Sequence, residues 1–183
     1  METKKDIRKH VLKKRDCMSK EEWEESSRKI YEKVVSHPFF LNAATIYCYM
    51  NYRNEVDTRH IIKRAWELHK KVAIPKVDGD EMHFYYISDF TNLLEGYRGI
   101  QEPKTKYPAN DENALMIMPG VAFDKNRNRI GYGKGFYDKY LDKHPKFQTI
   151  ALAFSCQITE EMKPDAFDYK PNIIITEDYV YDK

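Results

Sequence analysis

Cysteine is scarce in this chain. Its 183 residues hold three, Cys17, Cys48 and Cys156. The odd number and wide spacing suit neither a disulfide framework nor a zinc ligand set, so reduced thiols in a cytoplasmic protein are expected. Long apolar runs are also missing. None approaches the roughly 18–20 residues of a membrane-spanning helix, and the charged start METKKDIRKH leads into no hydrophobic signal region. The six histidines, at 10, 37, 60, 69, 83 and 144, show no zinc spacing. There is no nucleophile elbow, and Ser155-Cys156 has no activating partner close in sequence. Neither sign of charge dominates, with 31 basic and 29 acidic side chains and a net +2. That balance, with 42% apolar residues, excludes a disordered chain. The length suits a single domain, taken as residues 1–183.

The even total hides two positive segments. Residues 1–15 carry seven basic against two acidic side chains, and residues 124–146 seven against three. Two short cationic stretches on an otherwise acidic chain suggest a local anion site. A nucleic-acid binder would carry its basic residues more widely, interleaved with aromatics on one face. The fourteen tyrosines are spread over the whole chain instead, so no nucleic-acid partner is expected.

Hydrophobic periodicity alternates between helix and strand. Thr3 is placed to cap a helix running to about Cys17, and Ser19 with Glu22 has the spacing of a capping box for a second one. His37-Pro38 ends it. Asp57 or Thr58 caps a helix through Ile61, Ile62, Ala65 and Trp66. Apolar runs at 44–50, 72–75, 114–118, 149–155 and 172–176 read as buried strands, 82–87 as a more exposed one, and 88–113 as loop. Near-continuous apolar strands between helical patterns predict a three-layer α/β/α domain with a mostly parallel central sheet.

Such sheets bind ligands in the loops beyond their strand ends, which draws attention to residues 119–141. Three of the seven glycines, Gly131, Gly133 and Gly135, fall within five residues there. Glycine permits positive φ, so successive N–H groups can converge on an anion. Arg129 and Lys134 add positive charge, and Asp138 a carboxylate, all within ten residues, a set able to hold a polyphosphate and its magnesium. Alone, the glycines would equally suit a tight turn. The stretch is neither a Walker A loop, since Gly135 rather than serine or threonine follows Lys134, nor a dinucleotide fingerprint, since Phe136 stands where the third glycine belongs.

The stretch resembles the signature of the 5-formyltetrahydrofolate cyclo-ligase family, P-G-x-x-F-D followed by R-[IL]-G-x-G-[GK]-G-[FY]-Y-D. Here it is Pro119-Gly120-Val121-Ala122-Phe123-Asp124, then Arg129-Ile130-Gly131-Tyr132-Gly133-Lys134-Gly135-Phe136-Tyr137-Asp138. The likeness extends to Lys4 and Arg8, to Asn54–Thr58, to Pro75-Lys76 and to Gly99–Pro103. It implies a ligase that uses Mg-ATP to turn 5-formyltetrahydrofolate into 5,10-methenyltetrahydrofolate, ADP and phosphate. The expected partners are the two small-molecule substrates alone, with no membrane, and the chain is expected to be a monomer. Carried over by position, Lys4, Lys5, Arg8 and residues 129–137 (Arg129, Ile130, Gly131, Tyr132, Gly133, Lys134, Gly135, Phe136 and Tyr137) would bind ATP. Met50, Glu55 and Tyr132 to Phe136 would bind the folate. Lys134, Arg129 and Tyr132 would serve catalysis, and Asp138 magnesium. Asn172 stands where many members have a second metal-binding aspartate. Asparagine offers a carbonyl oxygen and no charge, so Asp165, Asp168 or water are the alternatives there. Without the resemblance, a kinase or phosphatase, or a non-catalytic nucleotide binder, would also fit the glycine loop.

Overall fold

Strand-forming runs and amphipathic helices alternate along the chain, and the computed structural model, which describes residues 2–104 and 106–182, stacks them in three layers. Two helices come first, each opened by a reciprocal capping box. Thr3 and Asp6 start α1 (Lys4–Asp16), and Ser19 and Glu22 start α2 (Lys20–Ser36). Pro38 opens the short α3 (Pro38–Asn42) at the position where a missing N–H costs least. After β1 (Thr45–Cys48), α4 (Arg59–Glu67) takes its cap from Asp57, whose Oδ1 accepts from the Arg59 N–H at 2.9 Å. The Thr58 hydroxyl instead donates to the Tyr49 carbonyl at 2.8 Å.

β2 (Lys71–Asp78) is longer than the apolar run at 72–75, because it pairs along its length with β3 (Glu81–Ile87) in a hairpin. The stretch read as loop contains a second hairpin, β4 (Leu93–Glu95) with β5 (Gln101–Pro103), around a 3-10 turn at Tyr97–Gly99. β6 (Leu115–Met118) leads to a third, β7 (Ala122–Phe123) with β8 (Arg129–Ile130), then to α5 (Phe136–Asp142). β9 (Gln148–Leu152), a 3-10 turn at Ser155–Gln157, β10 (Ile173–Ile175) and β11 (Val180–Tyr181) complete the order.

The main sheet runs β11-β10-β9-β6-β1-β2-β3, with its five inner strands parallel and an antiparallel strand at each edge. Alternate residues of each strand face opposite layers, and both layers are apolar. On one side Ile46, Leu115, Ile150 and Ile173 meet Ile30 and Val34 of α2 and Ile61 and Ile62 of α4. On the other, Tyr47, Met116, Ala151 and Ile174 meet Leu141 of α5. Burial on both faces is why these strands read as unbroken apolar runs. α5 alone is too short to cover its side, and aromatic rings fill the rest; Phe84 and Phe147 each sit 4.9 Å from the Tyr47 ring.

Two features position the site. The chain leaves β1 toward β2 on one flank and comes back as β6 on the other, so a crevice opens above the carboxyl ends of β1 and β6. α1 packs through Val11 on Val121, Ala122, Ile130 and Met162 rather than on the sheet, and so crosses above that crevice.

Candidate functional site

A cavity of about 670 Å³ occupies the crevice. One face of α1 forms its wall, because Lys4, Arg8, Leu12 and Arg15 recur at helical spacing and all line it. At 1.5 Å rise per residue, Lys4 and Arg15 stand roughly 16 Å apart along the helix, so α1 reaches both ends. At one end the Lys4 ammonium bonds Asp165 at 2.6 Å and also Asp168. Burial works against that charge, but the two carboxylates outweigh it and leave the Lys4 pKa raised. In the middle, the Arg8 Nε donates to the Gly131 carbonyl at 2.7 Å.

The glycine loop is held from below by the β7–β8 hairpin. Asp124, 1% exposed, accepts from the Asn128 N–H and side chain at 2.9 and 2.8 Å and from the Met162 N–H at 2.9 Å. The aspartate of the P-G-x-x-F-D segment is therefore a structural knot, fully used in closing the hairpin. Beyond β8, Gly133 and Gly135 have φ of +103° and +67°, the left-handed backbone that brings successive N–H groups to one side. Beneath them the buried Arg129 donates to the Pro119 carbonyl at 3.2 Å and to Asp138 Oδ1 at 2.8 Å, and its Nε has no partner among the described residues. Asp138 Oδ1 also accepts from the Tyr169 N–H at 2.9 Å. Lys134 is exposed at the rim of the loop.

The other end is built around Glu55, 8% exposed. Its Oε1 accepts from the Tyr132 hydroxyl at 2.6 Å and its Oε2 from the Tyr52 N–H at 2.7 Å. Arg15, itself buried, donates to the same Tyr132 hydroxyl at 3.1 Å and to Asn54 at 3.1 Å. Burial pushes the Glu55 carboxyl up, with the two hydrogen bonds and Arg15 opposing it. Burial, with Glu55 beside it, also raises the Tyr132 hydroxyl. Met50 and Tyr49 line this end from the top of β1. Tyr132 thus ties the glycine loop to the buried carboxylate.

The cavity gathers nearly every residue singled out from the sequence: Lys4, Arg8, Met50, Glu55, Arg129 through Tyr137, and Asp138. Two are not brought to it. Lys5 points from the exposed side of α1, one residue off the lining face. Asn172 sits at the start of β10, at the opposite end of the sheet, where its Oδ1 accepts from the Thr149 N–H and hydroxyl at 2.8 and 3.1 Å. Asp165 and Asp168, the named alternatives, do line the cavity. Arg15, Tyr52 and Tyr97 line it without having been singled out, and so does Glu102, named only within the Gly99–Pro103 likeness and given no role. Of these, Arg15 was legible as the continuation of the Lys4–Arg8 face, whereas the others depend on which loops meet.

The donor set suits magnesium only in company. Among the described residues Asp138 Oδ2 accepts no hydrogen bond and no three metal-ligating side chains cluster. Magnesium takes one or two carboxylates together with phosphate oxygens and water, so the residues fit an ion that arrives with a nucleotide.

A model of the 5-formyltetrahydrofolate cyclo-ligase family matches residues 1–177. The 5-formyltetrahydrofolate cyclo-ligase of Mus musculus is 29% identical over 96% of this chain and 94% of its own length. The NMR structure of Aquifex aeolicus 5,10-methenyltetrahydrofolate synthetase aligns with a TM-score of 0.87 at 33% identity, over 98% of this chain and 92% of that one. A 5,10-methenyltetrahydrofolate synthetase from Mycoplasma pneumoniae gives 0.74 at 25% identity, over 95% and 98%.

Proposed function

The chain belongs to the 5-formyltetrahydrofolate cyclo-ligase family, and from that membership we propose that it phosphorylates the formyl oxygen of 5-formyltetrahydrofolate with Mg-ATP and closes the methenyl bridge. It is an ATP-dependent ligase of folate one-carbon metabolism. The formyl oxygen is a poor leaving group. Its attack on the γ-phosphorus expels ADP and makes it a phosphate ester; the second folate nitrogen then bonds the same carbon and gives up its proton to water, and phosphate departs with the electron pair of the C–O bond. Such a reaction needs two ligands held in line and charge stabilised where it develops, with little covalent chemistry from the protein.

One observation carries the reading: a single cavity has a cationic end and a buried-carboxylate end, joined by the glycine loop. At the first end, Lys4, Arg8, Arg129 and the N–H groups of residues 131–135 are the donors for phosphate oxygens. The exposed Lys134 is mobile charge for the phosphoryl group in transfer. Magnesium bound with the nucleotide would neutralise phosphate charge, with Asp138 and either Asp165 or Asp168 as its carboxylates. At the other end Glu55 accepts from the pterin N–H groups, with Met50 against the ring. Tyr132, hydrogen-bonded to Glu55 from within the phosphate loop, stands where the donor and acceptor must meet.

The test is an assay with 5-formyltetrahydrofolate and Mg-ATP, followed by the near-UV absorbance of the methenyl product. Product formation that requires both substrates supports the reading. ATP turnover independent of the pterin, by a folded protein, would refute it.

A further inference from the structure

Two arginines of the cavity lining have no part in the site as described above. Arg53 follows Tyr52 in the loop after β1, and Arg98 follows Tyr97 in the turn between β4 and β5; both are exposed and both line the cavity. Their φ angles are +50° and +55°, a backbone that a residue with a Cβ holds only where its surroundings demand it. Four non-glycine residues among those described do so, and these are two of them. Each guanidinium lies over the ring of the tyrosine before it, 5.2 and 5.4 Å from the centroid. Among the described residues neither is in an ion pair. The loops touch, since a Cβ on Gly99 would lie 3.5 Å from the Tyr52 ring. Two separate segments therefore bring the same tyrosine–arginine arrangement to one opening.

The carboxylates nearby do not neutralise them. Asp16 accepts from Asn54 at 2.8 Å, Glu102 accepts from the Val77 and Tyr97 N–H groups at 3.1 and 3.2 Å, and Glu95, whose Oε1 would lie 3.3 Å from a Cβ on Gly99, is in no ion pair among the described residues. Each guanidinium has its carbon over a ring, and among the described residues no hydrogen bond takes up its forked donors. That is the state suited to gripping a carboxylate.

The geometry points to Arg53 and Arg98 as a subsite for the carboxylates on the tail of the folate substrate; this rests on the cyclo-ligase reading. A pterin held by the buried Glu55 leaves the rest of the molecule to extend along the exposed part of the lining, where Arg53 and Arg98 lie. That remainder ends in glutamate, which carries two carboxylates, and each further glutamyl unit adds one. Arg53 is two residues from Glu55, on the folate side rather than beside Lys4 and Asp138.

The experiment compares kcat/KM for three substrates: 5-formyltetrahydrofolate with one glutamate, the same with three, and tail-less 5-formyltetrahydropteroate. They are given to the natural chain and to the Arg53→Asn/Arg98→Asn double variant. Asparagine tolerates positive φ, so the loops keep their shape. The natural chain should favour the tailed substrates, and the double variant should lose about tenfold of that preference, as expected for two exposed ion pairs. An equal loss on the tail-less substrate, or a loss confined to the KM for ATP, overturns the subsite. If the natural chain turns over none of the three, the cyclo-ligase reading fails instead. Calorimetric binding of the same compounds then decides the arginines, since only tail-dependent binding lost in the double variant supports them.

Discussion

Replacing Glu55 with glutamine separates the energetics of the fold from those of the site. The side chain keeps its size, so the Tyr52 N–H can still find an acceptor and the loop its shape. What disappears is a charge that is 8% exposed. A hydrogen bond to a charged group is worth about 1.5–3 kcal/mol, so folate affinity should fall roughly 10- to 150-fold. ATP affinity should change far less. Stability should move the other way. Burial holds the Glu55 carboxyl above the 4.5 of an ordinary glutamate, so the folded chain binds that proton more tightly than the unfolded one. The natural chain then loses stability as pH rises from the unfolded value through the raised folded value. Glutamine has no proton to lose. The Tm of Glu55→Gln relative to the natural chain should therefore rise from acid to neutral pH. Calorimetric titration with each ligand and melts across that pH range check both halves. Weaker ATP binding with the folate spared, or a variant that melts lower only at neutral pH, would sink the argument.

Three further outcomes follow from the same geometry. Lys134→Ala removes an exposed charge and leaves the glycine turn intact, so the melt should be unchanged and kcat/KM should fall on the order of 10²-fold; steady-state kinetics read this directly. Asp138→Asn keeps an acceptor for Arg129 and the Tyr169 N–H but not the charge. Magnesium-nucleotide binding should weaken by calorimetry, folate binding should change much less, and stability should drop by about 1–3 kcal/mol in denaturant titration. Gly135→Ala puts a Cβ at φ +67° and should cost about 1–2 kcal/mol, a Tm shift of roughly 2–8 °C.

The layers were legible in the sequence, because burial on both faces of a parallel strand and on one face of a helix leaves periodic marks in the residues. The sequence determined both capping boxes, whose partners lie three residues apart. It also marked the glycine loop, where donors, cations and a carboxylate lie within ten residues of one another. The small hairpins β4–β5 and β7–β8 left no such mark, since two- and three-residue strands are too short to show a period. Which distant segments share the cavity emerged only from the folded chain. Tyr132 reaches Glu55 across 77 positions of sequence and Lys4 reaches Asp165 across 161. Asn172, expected at the metal, was instead spent on Thr149 at the far end of the sheet. Periodicity records which face of an element is buried, and local spacing records bonds within a turn. Contacts between loops depend on strand order and on where α1 docks, and no local pattern encodes either one.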